Sequence, residues 1–234
     1  MRPPLRPSLL LFLLVTVLGV SAEVPITNPG FADRESLKYT ETIGSVIRPF
    51  EVTLTLVSDA LGQRYEFRSV GAELESLYRL DPTTLLSLSS ESLTKSPDAT
   101  VKRTAEYRNL AVHAGPDDLV LTDMGSLPVV LRGFPWTKTK TAKILYVGNT
   151  SYGGSTISFE VQVVGKDIVT AAGRTWDCWH ATTGLGGALG LLLAKTDWWF
   201  AVEGTHPLVK TSGPVGGPGS PTRTLLLQND TVGK

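Results

Sequence analysis

The best candidate for chemistry in this 234-residue chain is a cysteine and a histidine two positions apart, Cys178 and His180. Side chains two apart on a strand point to the same face, so a single metal ion could bind both. A zinc site needs three or four protein ligands, however, and the other histidines, His113 and His206, are distant in the sequence. Because Trp176 falls on the same face and favours ordinary packing, we predict no metal site.

Catalytic motifs are absent from the sequence. No G-x-S-x-G segment is present, which is the pattern that exposes a nucleophilic serine. The neighbouring acids Asp117 and Asp118 resemble helix-capping residues, and Glu73 and Glu75 lie on one face of a predicted strand. The run GLGGALG at residues 184–190 lacks the strand–helix–strand context of a dinucleotide-binding loop and is predicted to be a flexible flap or crossing loop. We therefore expect a protein that is not an enzyme and has no cofactor.

Aromatic residues are the remaining candidates for a binding site. Four of the five tryptophans fall within residues 175–212, and Trp198 and Trp199 are adjacent. On a strand these two side chains point to opposite faces, so both faces must be covered, or one must line a cavity. A curved sheet can enclose an apolar cleft with such residues, although a filled hydrophobic core is the alternative. The predicted ligand-binding residues are Trp136, Tyr146, Trp176, Trp198 and Phe200.

A hairpin is expected to position the adjacent tryptophans. Residues 197–202 and 205–210 are rich in aromatic and branched side chains and flank Glu203-Gly204, a dipeptide suited to a tight turn. If the turn has only two residues, Asp197 lies opposite Lys210.

Strand patterns extend over most of the rest of the chain. Residues 50–57 (FEVTLTLV) alternate apolar and polar side chains, which is typical of a half-buried strand, and residues 44–49 are predicted to turn the chain before it. Turn signals separate the other predicted strands, as in an antiparallel meander. These strands cover residues 37–43, 63–70, 73–80, 85–93, 99–109, 142–147, 156–164, 167–171, 174–183 and 222–228.

In one segment the spacing of apolar residues is that of a helix and not the two-residue alternation of a strand. Apolar residues recur at helical spacing across residues 117–133, where Asp117 and Asp118 are placed to cap a helix. Pro128 and Gly125 weaken a continuous helix, so two short turns are the alternative. The sequence thus predicts an all-β fold: a single strongly curved antiparallel sheet, or half-open β-barrel, with one short helical segment.

The composition and the first residues predict an exported protein. Arg2 and Arg6 precede an apolar stretch at residues 9–20 and a small-residue cleavage pattern, so residues 1–22 are predicted to be a signal peptide. Net charge is zero and basic residues are not clustered, which argues against nucleic acid as a partner. A periplasmic or secreted protein that does not span a membrane is expected. We divide the rest into an extended lead-in (23–34), one β domain (35–228) and a flexible tail (229–234).

Several short motifs follow one another along the chain: LKYT at 37–40, YRLD at 78–81, DDL at 117–119, LRGFP at 131–135, VTAAGRTW at 169–176, WF at 199–200 and HPLVK at 206–210. In this order they resemble the motifs of the DUF3108-like family of exported bacterial envelope proteins of unknown function. The resemblance implies a half-open antiparallel β-barrel in the periplasm or cell envelope, with no established catalytic residues, and the Gly-rich run departs from the family pattern.

The predicted function is to bind a hydrophobic ligand, such as a lipid or an acyl chain, or an apolar segment of an envelope partner, on the concave side of the sheet. A structural or assembly adaptor that pairs with other proteins through its sheet edges is the alternative. A hydrolase-type enzyme is the third hypothesis.

Overall fold

Thirteen strands form one sheet in the computed structural model, which describes residues 26–96, 98–107, 118–147, 156–190, 193–216 and 219–233. The predicted signal peptide, residues 1–22, lies outside the described residues. The strands are β1 Arg34–Ile43, β2 Val46–Asp59, β3 Gly62–Val70, β4 Leu74–Leu80, β5 Ser87–Lys95, β6 Thr100–Glu106, β7 Asp118–Leu121, β8 Thr141–Val147, β9 Thr156–Ala171, β10 Arg174–Leu185, β11 Thr196–Ala201, β12 Leu208–Pro214 and β13 Thr222–Gly233.

The sheet is strongly curved and is not closed. Its strand order is β6-β5-β4-β3-β2-β1-β13-β12-β11-β10-β9-β8-β7, so the first and last strands of the domain are neighbours at its centre. All pairs are antiparallel except β7 and β8, which are parallel. The edges are β6 and β7. The predicted all-β, half-open barrel is therefore confirmed.

The turn between β1 and β2 is shorter than the sequence analysis predicted. Ile43 pairs directly with Val46, so only Gly44 and Ser45 connect the strands, and most of residues 44–49 belongs to β2. Gly44 has a φ of 57°, a left-handed conformation that two-residue hairpins require and that glycine adopts without steric cost.

The helical segment begins later than predicted. Residues 118–121 form β7, because the branched run Asp-Leu-Val-Leu pairs with β8 instead of entering a helix. Asp123 caps the following turn, and its carboxylate accepts a hydrogen bond of 2.8 Å from the Gly125 amide. Asp117, one of the two predicted caps, lies outside the described residues. The chain then makes a 3₁₀ turn (Met124–Ser126), helix α1 (Leu127–Val130) and a second 3₁₀ turn (Leu131–Gly133).

The Gly-rich run is only partly a connection. Gly184 and Leu185 end β10, and Gly187–Gly190 forms a single helical turn.

No helix in the described part of the chain combines the length and apolar character needed to cross a bilayer.

The β9–β10 hairpin is long and folds over the outside of the central strands. Residues 156–164 and 167–171, predicted as two strands, form one strand with an irregularity opposite His180 and Ala181. At the tip, the Ala172 amide donates to the Leu227 carbonyl (3.0 Å). The hairpin therefore covers outer-face residues that would otherwise meet water.

The last strand extends further than predicted. Residues 229–233, which the sequence analysis assigned to a flexible tail, are part of β13 and pair with β1, as shown by Leu37 opposite Asp230 and Arg34 opposite Gly233. The pairing gives their backbone groups hydrogen-bond partners.

The helical segment fills much of the concave side of the sheet. Its side chains Leu127, Val129, Val130 and Leu131 are almost fully buried. The approach is close: a Cβ on Gly125 would overlap the Tyr78 ring. The core therefore consists of one curved sheet and one short segment packed against its inner face, as a layered domain requires.

Candidate functional site

An apolar cavity of about 300 Å³ remains between the helical segment and the inner face of the sheet. β1 to β4 form one wall and β11 to β13 form the other. Most of the side chains that face the cavity are aromatic or aliphatic. They are Leu37, Tyr39, Phe50, Val52, Phe67, Leu74, Tyr78, Met124, Pro128, Val129, Trp198, Leu208 and Leu225.

Trp198 lies on the cavity wall. It stacks on Phe200 with ring centroids 6.3 Å apart, and its Nε1–H donates to Thr183 Oγ1 (2.9 Å). The indole is only partly buried, and it also borders an adjoining open groove of about 670 Å³. Trp198 therefore lines both the cavity and this groove.

Trp199 points to the outer face, as the alternation predicts. Its ring stacks on His180 at 4.5 Å, the Lys210 ammonium lies 4.4 Å from its centroid, and its Nε1–H donates to Asp167 Oδ2 (3.0 Å). Asp167 belongs to the β9–β10 hairpin, and the hydrogen bond from Trp199 lowers the pKa of its carboxyl group. Both faces of this strand are thus covered, each by different means.

The predicted register of the β11–β12 hairpin is wrong. Asp197 pairs with Ser212 and Trp199 with Lys210, because the connection spans residues 202–207 and an irregularity follows Trp199. Phe200 consequently lies opposite Leu208, which faces the cavity.

Of the five predicted ligand-binding residues, only Trp198 borders the cavity. Phe200 and Trp136 are buried against each other, with centroids 5.3 Å apart, and belong to the core. Trp176 lies near the tip of the β9–β10 hairpin, where the Arg174 guanidinium stacks on it at 3.6 Å. Tyr146 is half-buried, and desolvation and nearby Asp123 raise its pKa.

Sequence reasoning missed most of the cavity wall. Phe50, Val52 and Leu37 belong to alternating strands whose covered side could be read from the sequence. Whether a covered residue faces the cavity or the core depends on where the helical segment packs, and this is a tertiary property.

A buried ion pair closes the inner end of the site. Arg132 Nη2 lies 3.0 Å and 2.8 Å from the two carboxylate oxygens of Glu35, and the side chains are only 4% and 2% exposed. Of the two oxygens, Oε1 accepts a hydrogen bond and Oε2 has no hydrogen-bond partner. Arg132 also donates to the Thr205 carbonyl (2.9 Å) and to Thr205 Oγ1 (2.7 Å), and its guanidinium lies 4.4 Å from the Phe31 ring.

A second charged group lies at the opposite, open end of the cavity. Arg223 Nε lies 2.6 Å from Glu41 Oε1, and Arg48 Nε lies 2.5 Å from Glu41 Oε2. Arg48 also contacts Glu73 at 2.8 Å. Hydrogen bonds to Glu73 and Glu41 raise the pKa of Arg48.

Exposed apolar side chains are concentrated around this open end. It is the end of the sheet at which β1 turns into β2, β3 into β4 and β12 into β13. Six of the nine large hydrophobic residues that are exposed in the described structure lie there: Val46, Ile47, Leu74, Val101, Ile157 and Val215. Of these six residues only Leu74 lines the cavity itself, so the mouth combines this apolar side chain with the charged side chains of Arg223, Glu41 and Arg48.

Cys178 and His180 are not arranged as metal ligands. The Cys178 thiol is fully buried and lies 3.7 Å from the Trp176 carbonyl, whereas His180 Nε2 is paired with Asp197 Oδ1 at 2.8 Å. Across the described ranges, no three His, Cys, Asp or Glu side chains are grouped as a metal site would require.

We expect the Cys178 thiol to be unreactive in the folded protein. Burial raises its pKa to about 12, so alkylation by iodoacetamide at pH 8 should be slower than in urea by on the order of 10³-fold, since the thiolate is the nucleophile. Because the pKa is raised on folding, the thiol contributes stability that is present below the unfolded pKa and lost as pH rises toward 12. Mass spectrometry measures the labelling of this single cysteine. Equal rates in the two states would contradict the burial.

Side-chain bonds connect the regions beside the two sheet edges. The Tyr107 hydroxyl, just after β6, donates to Asp123 Oδ2 (2.6 Å) and contacts Ser90 (3.0 Å). Thr122, just after β7, donates to the Ser87 carbonyl (3.1 Å). Burial raises the pKa of Tyr107, and the bond to Asp123 adds to this. The hydroxyl therefore stays protonated and remains a donor.

No family model and no curated protein matches the chain. Among solved structures, a β-barrel-like protein of the domain of unknown function DUF1849 from Brucella abortus is 8% identical, with 87% of this chain and 99% of that chain covered and a TM-score of 0.48. A DUF1329 family protein from Desulfovibrio piger is 9% identical (87% of each chain; TM-score 0.34). A candidate exported protein with a YmcC-like fold from Bacteroides fragilis is 7% identical (88% of this chain, 99% of that chain; TM-score 0.32). The DUF3108 resemblance stays a prediction, and the chain resembles bacterial proteins that include β-barrel-like domains of unknown function.

Proposed function

We propose that the protein binds a hydrophobic ligand, such as a lipid or acyl chain, or an apolar segment of a partner, in its concave side without catalysing a reaction. The apolar cavity of about 300 Å³ carries this proposal, since small-molecule sites begin near this size and are mostly apolar. The exposed Leu74 side chain on the cavity wall supports it, because a hydrophobic ligand entering there would remain in contact with apolar surface.

The positions of the titratable groups support binding over catalysis. The His180–Asp197 pair lies on the outer side of the sheet, beside Trp199. The cavity wall carries tyrosines, serines and arginines, and its buried arginine is already bonded to Glu35. The signal-like residues 1–22 favour action in the periplasm or outside the cell.

Native mass spectrometry of protein purified from its own cell envelope tests the proposal. We expect a retained mass of lipid size that disappears in Ser69→Phe, because Ser69 faces the cavity and a phenyl ring would fill it. The matched control is Thr53→Phe, which places the same ring in the groove on the outer face of β2 and should keep the ligand. An empty wild-type protein, or equal retention by both variants, would contradict the proposal.

An adaptor that pairs through a sheet edge is the second candidate, because six of the seven residues of the edge strand β6 are exposed. Unpaired N–H and C=O groups on such an edge can accept a strand from another protein. The same mass measurement separates the two functions. Retention of a polypeptide that Arg103→Pro abolishes and Ser69→Phe leaves intact would favour the adaptor.

A further inference from the structure

We propose that the cavity takes a single-chain amphiphile with an anionic head, and that Arg223, supported by Arg48, binds this head at the mouth. The inference rests on the proposed function and specifies its ligand class. Three observations support the inference: the position of Arg223 at the mouth of the cavity, the hydrogen-bond donors of its guanidinium that have no partner among the described residues, and the charges of the neighbouring side chains.

Arg223 lies at the mouth of the cavity, where the head of a ligand whose tail fills the cavity would be. It belongs to the start of β13 at the open end of the sheet, borders the cavity and keeps 37% of its side chain exposed. Its guanidinium lies 5.0 Å from the centroid of Phe50, another residue of the cavity wall. A tail packed on this wall would therefore bring its head next to a fixed positive charge.

The donors of Arg223 are not exhausted by its partner. The bond to Glu41 uses Nε, and a guanidinium has four further N–H groups on its two Nη atoms. Among the described residues, these Nη atoms have no hydrogen-bond partner. A planar guanidinium can bind two oxygens of a carboxylate or phosphate at once, so Arg223 has the geometry that an anionic head requires.

The charge at the mouth also favours an anion. Arg48 and Arg223 share the carboxylate of Glu41, which is only 5% exposed, so these three side chains carry a net charge of +1. Glu73 also contacts Arg48 but is 68% exposed, and a pair of this kind is strongly screened by water. With Glu73 included, the four side chains are formally neutral and Arg48 has two carboxylate partners, so Arg223, which shares Glu41 with Arg48, is the arginine whose charge a bound anion would compensate.

The inner end of the cavity lacks this capacity. Arg132 is bonded to Glu35 and twice to Thr205, and it is almost completely buried. The ligand should therefore bind in one orientation, with its tail toward Tyr39 and Leu208 and its head toward Arg223. The head chemistry fits either a carboxylate, as in a fatty acid, or a phosphate, as in a single-chain phospholipid.

Three probes of equal chain length test the inference by isothermal calorimetry: dodecanoate and dodecyl phosphate, each below its micelle concentration, and dodecanol below its solubility limit. We expect at least one anionic probe to bind about tenfold more tightly than the alcohol, and added salt to reduce the difference. The relative affinities of dodecanoate and dodecyl phosphate distinguish the two sources of the anion.

Arg223→Gln should remove the preference while dodecanol still binds, and Arg223→Lys should restore part of it by keeping the charge without the planar fork. Arg174→Gln, which removes an exposed arginine that does not line the cavity, is the matched control and should retain the wild-type preference. Circular dichroism verifies that each variant is folded.

Equal binding of dodecanol and both anions by the wild type would overturn the head assignment while leaving the cavity function intact. Retention of the preference by Arg223→Gln would overturn the role of Arg223. Failure of all three probes to bind would contradict the proposed function itself, and the head assignment with it.

Discussion

Arg132→Met is expected to lower the free energy of unfolding by about 3–5 kcal/mol, because it leaves the Glu35 carboxylate buried without its cation. The substitution also removes the two donors that bind Thr205. Urea unfolding followed by circular dichroism measures the change. Replacing both partners, as Arg132→Met with Glu35→Met, should recover much of the loss, since no isolated charge then remains in the interior.

The matched control for this prediction is Arg174→Met. Arg174 pairs with Asp230 at 3.0 Å near the tip of the β9–β10 hairpin, but its side chain is 55% exposed. Exposed ion pairs contribute about 0–1 kcal/mol, so the same substitution should have a small effect there. Similar losses at the two positions would show that burial of the Arg132–Glu35 pair does not determine its contribution.

Phe200→Ala is expected to destabilise the protein by about 3–5 kcal/mol, the usual cost of removing a buried phenyl ring from a core. Phe200 is fully buried and packs against Trp136 and Trp198. Trp198→Ala should cost less in stability, because part of the indole already faces open space, but it should weaken dodecanoate binding more. Unfolding and calorimetry on both variants measure the two effects.

This pair of variants separates core from ligand site on one strand. If Trp198→Ala were the more destabilising change and left binding unaltered, Trp198 would be a core residue and the cavity would not be its functional surface. If Phe200→Ala weakened dodecanoate binding but left the free energy of unfolding unchanged, Phe200 would be a ligand-binding residue and its assignment to the core would be wrong.

The alternation of apolar and polar residues predicted most strands. The sheet has one apolar inner face, so each strand must place an apolar side chain at every second position, and this pattern is visible in each strand by itself. Residues 50–57 show this well: Leu54 is buried between half-exposed neighbours, as its position in the pattern requires. The all-β class and the curvature follow, since a large sheet with few helices must cover its own inner face.

Register and long-range pairing were not predictable in the same way. The irregularity after Trp199 and the connection at 202–207 shift the partner of Asp197 from Lys210 to Ser212, and neither has a distinctive sequence signal. Residues 118–121 were predicted as helix because four residues are too few to distinguish the two periods.

The candidate site was the least predictable part. Five aromatic residues were proposed for it, yet Phe200 and Trp136 pack against each other instead of facing open space. The charged groups at its two ends join residues far apart in the chain: Glu35 with Arg132, 97 positions away, and Glu41 with Arg223, 182 positions away. A single sequence carries no direct signal for such pairs.

The unpaired edges of the sheet have a mechanical consequence. In a closed barrel, strand number and stagger fix the diameter, and widening it requires breaking a complete backbone ladder. Here the bonds described from Tyr107 to Asp123 and from Thr122 to Ser87 join the two margins. Each such bond contributes only about 0.5–3 kcal/mol. We therefore expect that, along the line between β6 and β7, the width of the sheet can change at a smaller energetic cost than in a closed barrel, because the paired strands keep their backbone hydrogen bonds.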